Sequence, residues 1–283
     1  MASAQDIKRR IKSVKSTQQI TKAMKMISAA KLRKAQSSVI AVRPYANRIG
    51  AVIANLASGN VEHPLLKKKE IKRVGFVIIA GDGGLCGGFN GNILRLAEHA
   101  IADCAYPVGL VTVGSKARDY FRRRKWTIDQ EFTAIGDNPS YIQGKELAKV
   151  ISNLYLENQY DEVHLFYTEF KSAMSQHPVS MQLLPMQKPS VEETGKISAG
   201  YIFEPNGEEI LDVVVPQYVE VSVYRALLES KASEHGARMT AMSSATDNAL
   251  EMIDKLTLSL NRARQAAITT EISEIVSGAA ALS

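Results

Sequence analysis

One glycine-rich turn in this chain has the composition of a phosphate-binding loop. Gly81-Asp82-Gly83-Gly84-Leu85-Cys86-Gly87-Gly88 follows an apolar run from Arg73 to Ala80. It precedes a helical stretch, Asn90 to about Ala102, with Ile93, Leu94, Leu96 and Ala97 inward. Strand, glycine loop and helix N-terminus is the arrangement by which dinucleotide folds hold pyrophosphate. The spacing does not fit. Glycines at 81 and 83 require a third at 86, which is Cys86. The ribose-binding acid belongs at the end of the second strand, where this chain has Val113-Gly114-Ser115. A Walker-type loop needs Gly-Lys-Ser/Thr, and the chain has no such run. The turn therefore reads as a tight bend needing positive φ and close backbone packing.

Other chemistry fares worse. His63, His99, His164, His177 and His235 are scattered without metal-ligand spacing. No Gly-x-Ser-x-Gly elbow occurs. Carboxylates are spread along helix faces, as a solvated surface requires. No catalytic, cofactor or metal site is expected, and the chain reads as a mechanical or interaction component, not an enzyme. Cys86 and Cys104 give no disulfide framework and read as buried free thiols in a reducing compartment. No run approaches the ~20 apolar residues of a membrane-spanning helix.

The turn sits in an alternating pattern. Strands are expected at 73–80, 107–113, 126–132 and 161–170. Helices are expected at 90–102, from a cap at Ser115 through Arg124, and at 140–157. Such alternation implies a mainly parallel sheet. From Val179 to Val215 short β-rich pieces, broken by Pro185, Pro189, Gly195 and Pro205-Asn206-Gly207, predict an edge hairpin. Residues 60–71 read as a polar link into this α/β region.

The two ends differ in character. Ala237 to Ser277 contains no Gly or Pro, and Ala249, Ile253, Leu256, Leu260, Ala263 and Ala267 recur at steps of four and three. That is a coiled-coil seam. Residues 1–43 also lack Gly and Pro. Ile7, Ile11 and Val14 begin a stripe; Ile20, Met24 and Ile27 continue it one position out of phase, and Ala30, Ala35, Val39 and Val42 extend it weakly. Ile49, Val52, Ile53 and Leu56 keep helical spacing past Pro44, predicting one kinked helix to about 58. The second helix is predicted to start near Pro216 or Gln217. At about 1.5 Å per residue the two reach roughly 80 and 100 Å. Their simplest pairing is antiparallel, with the α/β region inserted between them. The predicted domains are 1–58, 59–215 and 216–283.

Charge is polarised. Residues 1–50 carry 12 Lys and Arg against one acid, Asp6, while the whole chain is +6. The cations, Lys8 to Lys34, lie along a rod. They suit a solvated face, nucleic acid, anionic lipid or an acidic protein surface. A basic nucleic-acid-binding coiled coil is the competing class, but it predicts aromatics among the cations, and the first 43 residues contain none. The opening stretch is not read as a transit peptide, because its stripe belongs to the coiled-coil pattern and shows no processing site.

Four runs carry a resemblance: Ile20-Thr21-Lys22-Ala23-Met24-Lys25-Met26-Ile27-Ser28-Ala29-Ala30-Lys31-Leu32-Arg33; Ala237 to Met242 with Ala245 to Ala249; Asn261 to Thr269; and Glu271 to Ala279. With Gly84-Leu85-Cys86-Gly87, they resemble the γ subunits of F-type ATP synthases across the whole chain. The resemblance implies terminal helices in an antiparallel coiled coil and an inserted Rossmann-like α/β domain that binds no nucleotide. It implies a non-catalytic central-stalk rotor, one copy per complex, coupling ion flow to ATP synthesis or hydrolysis. The implied partners are three α and three β subunits, an ε subunit and the membrane c-ring. The implied place is the cytoplasmic face of a bacterial cell membrane, without a chloroplast-type regulatory insert. Implied coupling positions are Met24, Lys25, Arg238, Arg264, Gln265, Thr269 and Glu271. The small, apolar tail 277–283 suits a smooth sleeve. The sequence departs from the family's usual pattern at Gly81-Asp82-Gly83, which lacks the usual cation and so weakens the case for a charged contact there, and at Ser243-Ser244.

Overall fold

The computed structural model describes residues 4–57, 63–186 and 207–282. Part of the predicted link and the turn segments at Pro189, Gly195 and Pro205-Asn206 lie outside them. Two compact units form: Met1–Ile27 with Met239–Ser283, and Ser28–Arg238. Helices α1 (Ala4–Ala57) and α5 (Gly207–Leu282) contribute to both.

In the larger unit, β1 (Val74–Ile79), α2 (Phe89–Asp103), β2 (Val108–Val113), α3 (Ser115–Arg123), β3 (Gln130–Phe132), α4 (Tyr141–Leu156), β4 (Glu162–Phe170) and β5 (Gln176–Leu184) follow in order. The sheet order is β3-β2-β1-β4-β5. β1 pairs in parallel with β2 and β4, β2 in parallel with β3, and β5 is antiparallel to β4. Every residue of β1 is buried, as a central parallel strand covered on both faces requires. One face packs on α2 and α3 through Ile93, Ala97, Ala117 and Phe121. The other packs on α4, α5 and the end of α1 through Leu147, Ile151, Val219, Val223 and Ile53. Ser140 caps α4 in a capping box with Gln143. The cap of α3 is Gly114, not Ser115. Ser115 instead gives its backbone N–H and hydroxyl to Asp82, both at 2.9 Å. Cys86 is buried, and Cys104 only half-buried.

The hairpin expected over 179–215 is only partly realised. β5 holds its first residues, but Gly207 onward is already α5, which starts well before the predicted Pro216. Leu211, Val215, Val219 and Val223 are each 0% exposed. Steps of four bury one helical stripe, and the apolar area gained outweighs the ~3 kcal/mol that an internal proline costs. α1 likewise runs unbroken through Pro44.

The N-terminal stripe also differs from expectation. Ile20 is 58% exposed and Ile27 54%, and Ala30 is exposed. The buried positions are Ile7, Thr21, Ser28, Leu32, Ala35 and Val39, with Ile11, Val14, Gln18 and Met24 half-buried. The seam therefore keeps its phase, and polar residues occupy it at 21 and 28. In the smaller unit the Thr246 hydroxyl lies 2.8 Å from Thr21 Oγ1 and 2.7 Å from Met242 O, its one proton serving one of the two. Its hydrogen bond keeps a polar seam position satisfied. The predicted α5 seam holds from Ala249 to Ala263, all buried or half-buried, while Ala267 is exposed.

Candidate functional site

The glycine-rich turn is held from within. Asn90 accepts from Gly81 N at 2.9 Å and donates to Gly83 O at 3.1 Å and to Cys86 Sγ at 3.2 Å. Gly114, at φ +94°, packs so closely on the backbone of Ala80 that a Cβ would overlap the Ala80 carbonyl. Positive φ and close backbone approach are what glycine permits. Burial opposes the charged form of Asp82, but bonds from Ser115 and Ala134 and the charge of Lys231 outweigh it and hold its carboxyl below the usual range. Burial also pushes the Cys86 thiol up.

In doubly wound sheets ligands bind at the carboxyl ends of strands where the order reverses. Here that place lies between β1 and β4, and α5 occupies it. β1 pairs with β4 only as far as Ile78 and Phe166. Two residues further, the Thr168 N–H donates to Ser230 Oγ at 3.2 Å and the Thr168 carbonyl accepts from Ser233 Oγ at 3.2 Å. A helix supplies what a longer strand would have supplied. The void lined by Asp82, Gly114, Lys231 and Glu234 is about 10 Å³, room for about one water. The turn does receive a charge, although its own sequence lacks the usual cation. The Arg238 guanidinium donates to Gly84 O from Nε and Nη2, both at 3.2 Å, and to Glu234 at 2.6 Å. The cation comes from α5, not from the turn.

Around this contact lie groups that the sequence reading passed over. Lys231 pairs with Glu234 at 3.0 Å. His235 is 1% exposed, with Nε2 3.7 Å from Asp137. Burial pushes its imidazole pKa down, against the pull of Glu234 and Asp137. Lys31 of α1 bonds Asp137 at 2.7 Å and holds that carboxyl below its ordinary range. The signal in the sequence is alternating charges at three- and four-residue steps from Lys231 to Arg238, which reads equally as a solvated face.

The seven coupling positions do not form one cluster. Arg238 belongs to the larger unit; the other six belong to the smaller. Met24 is half-buried in the seam, and Lys25 Nζ donates to Ser243 Oγ at 2.9 Å. The departure at Ser243 thus has a partner on the opposite helix. The register set by Thr21 on Thr246 and Lys25 on Ser243 exhausts α1 near Ala263. Arg264, Gln265, Thr269 and Glu271 lie beyond it, exposed on a single helix, with the Thr269 hydroxyl donating to Gln265 O at 2.9 Å. The same stretch exposes Ile268, Ile272, Ile275 and Val276 by 51 to 65%. These apolar residues recur at helical spacing and have no cover from α1. Such a face marks an interaction site. Of the predicted apolar tail 277–283, Ser283 lies outside the described residues.

Residues 3–282 match the family model described as ATP synthase. The ATP synthase gamma chain of Desulfitobacterium hafniense is 56% identical over 284 residues, 100% of both chains. That of Heliobacterium modesticaldum is 56% identical over 290 residues, again 100% of both. Among solved structures, a chain of the Tetrahymena thermophila mitochondrial ATP synthase central stalk/c-ring matches with TM-score 0.64 and 28% identity, over 80% of this chain and 99% of that one. A chain of the Euglena gracilis mitochondrial ATP synthase OSCP/F1/c-ring assembly, rotational state 3, matches in fold with TM-score 0.70 and 18% identity, over 99% and 94%.

Proposed function

The chain belongs to the ATP synthase gamma-chain family, and from that premise we propose how it works as the central-stalk rotor of an F-type ATP synthase. Its partners are the α and β subunits, an ε subunit and the c-ring. It is a peripheral component of the membrane complex, and among the described residues no helix is long and apolar enough to cross a membrane. The nucleic-acid reading has no support among these relatives and is set aside. In our reading the chain is non-catalytic and sits at the cytoplasmic face of a bacterial membrane. The coiled-coil helices, 1–58 and 216–283, are the shaft, and 59–215 the foot on the ring.

One observation carries the reading: α5 outruns α1 and leaves Ile268, Ile272, Ile275 and Val276 uncovered. A sleeve of α and β subunits around that tip supplies the missing cover. The sleeve must hold the tip without locking it, so its contacts are spread and individually weak. The α1 cations Lys8, Arg9, Arg10, Lys12, Lys15 and Lys22, exposed on the rod, fit this requirement. Exposed ion pairs contribute ~0–1 kcal/mol each and exchange partners as the shaft turns. Met24, Lys25, Arg238, Arg264, Gln265, Thr269 and Glu271 are the positions at which polar contacts with the ring couple shaft angle to the state of the β sites.

Co-expression of this chain with α and β subunits tests the reading. ATPase activity absent from the chain alone is expected in the recovered complex; recovery of nucleic acid without those subunits would overturn it. In the same complex Lys22→Ala/Lys25→Ala is expected to lower stall torque by about a third, since two weak pairs and the Ser243 bond are lost. Unchanged torque would reduce the basic stripe to a solvated face.

A further inference from the structure

Residues 226–236 of α5 are all buried. They make about three turns. A helix packed on one surface buries a stripe, and one buried on all sides is normally apolar all round. This stretch is not. Glu229, Ser230, Lys231, Ser233, Glu234 and His235 are between 0 and 8% exposed. The walls that enclose them approach closely, and some make directional contacts. On β4, Thr168 bonds Ser230 and Ser233. On the glycine-rich turn, a Cβ at Gly81 would sit 3.0 Å from the Glu234 carboxylate. On the β4–β5 hairpin, a Cβ at Gly236 would sit 3.2 Å from Ala173 O, a tight approach that a glycine eases. On the loop between β3 and α4, Asp137 faces His235 and takes Lys31 of α1.

Apolar faces in contact slide over one another at little cost, whereas hydrogen bonds and ion pairs have one register. Buried charged groups are costly and are poor devices for stability alone; fixing a unique arrangement is their best-attested use. Glu234 pairs within the helix, with Lys231 and Arg238, but Ser230 and Ser233 bond outward to β4 and Arg238 to the Gly84 carbonyl of the glycine-rich turn, and a twist of α5 about its axis must strain these outward bonds together. We propose that residues 226–238 are the torsion joint of the rotor, the collar through which the α/β domain grips the shaft helix, with Ser230 and Ser233 as torque-bearing residues. The proposal rests on the rotor reading.

The test uses the assembled complex with its α/β ring fixed, a bead on the α/β domain and a non-hydrolysable nucleotide to stall it. Thermal fluctuation of the bead angle then reports torsional stiffness. Ser230→Ala/Ser233→Ala is expected to raise the angular variance about twofold while the complex still hydrolyses ATP, because two directional bonds are removed from the joint. Val219→Ala, a buried site on the same helix outside the collar, is expected to lower melting temperature without softening the shaft. Equal variance in the double variant and the wild type overturns the joint, as does equal softening by Val219→Ala. Should the double variant not assemble, Ser233→Ala alone is held to the same criterion. A wild-type complex that assembles but never rotates overturns the rotor reading and the joint with it.

Discussion

Gly109→Ala is expected to destabilise the α/β domain by about 3 kcal/mol or more, a drop of roughly 10 °C in melting temperature. Gly75 and Gly109 are directly paired across β1 and β2. A Cβ on either would overlap the Tyr160 ring, and on Gly109 the Asp129 carboxylate as well. Neither neighbour can retreat. Tyr160 is fully buried and donates to Asp129 at 2.5 Å; Asp129 in turn accepts from Arg73 at 3.0 and 2.8 Å. Burial, and then the Asp129 carboxylate, raise the tyrosine pKa far above its ordinary value, so the phenol stays a donor. The check is a double-mutant cycle read by thermal and urea unfolding. Tyr160→Ala is costly on its own, but it removes the ring's part of the clash and leaves that of Asp129, so Gly109→Ala is expected to cost at least 1 kcal/mol less in that background. Strict additivity would show that the ring does not set the need for glycine.

Ile268→Asp/Ile272→Asp/Ile275→Asp has the opposite profile. All three side chains are exposed on the single-helix stretch of α5, so the isolated chain should keep its melting temperature to within the ~0.5 kcal/mol typical of surface changes. In the complex each contributes roughly 1.5 kcal/mol if the sleeve covers it. Introducing three carboxylates is therefore expected to weaken association with the α and β subunits at least a thousandfold, read by titration of ATPase activity against added chain. Unaltered association would mean that this apolar face is not seated in the ring.

These two predictions separate what the sequence displays from what it conceals. The α5 seam from Ala249 to Ala263, the parallel strands and the helix from Ser140 follow from period and local chemistry, and all can be read directly. The N-terminal seam misleads because hydrophobicity marks the wrong residues. Ile20 and Ile27 face outward, while Thr21 and Ser28 face inward, and besides the local Gln18 carbonyl the partner of Thr21 is Thr246, 225 positions away. The start of α5 misleads because Pro216 is a strong local signal, and burial of Leu211 and Val215 is a non-local one. Residues 229–238 conceal most. A run of alternating charges has the same appearance on a wet helix as in a buried collar, and only the walls from β4, the glycine-rich turn and the loop at Asp137 tell the two apart. Candidate coupling positions beyond Ala263 came from resemblance alone; what the structure adds is their exposure on a helix that α1 no longer covers.

The central claim is that this chain turns inside a fixed ring. It is tested most directly by attaching a bead to a cysteine introduced at Lys125, exposed on the α/β domain, in a Cys104→Ser background, with the ring held to a surface and ATP supplied. Unidirectional rotation with three pauses per turn, one for each β site, is the result expected. Steady ATP hydrolysis with a bead that only fluctuates about one angle would contradict it.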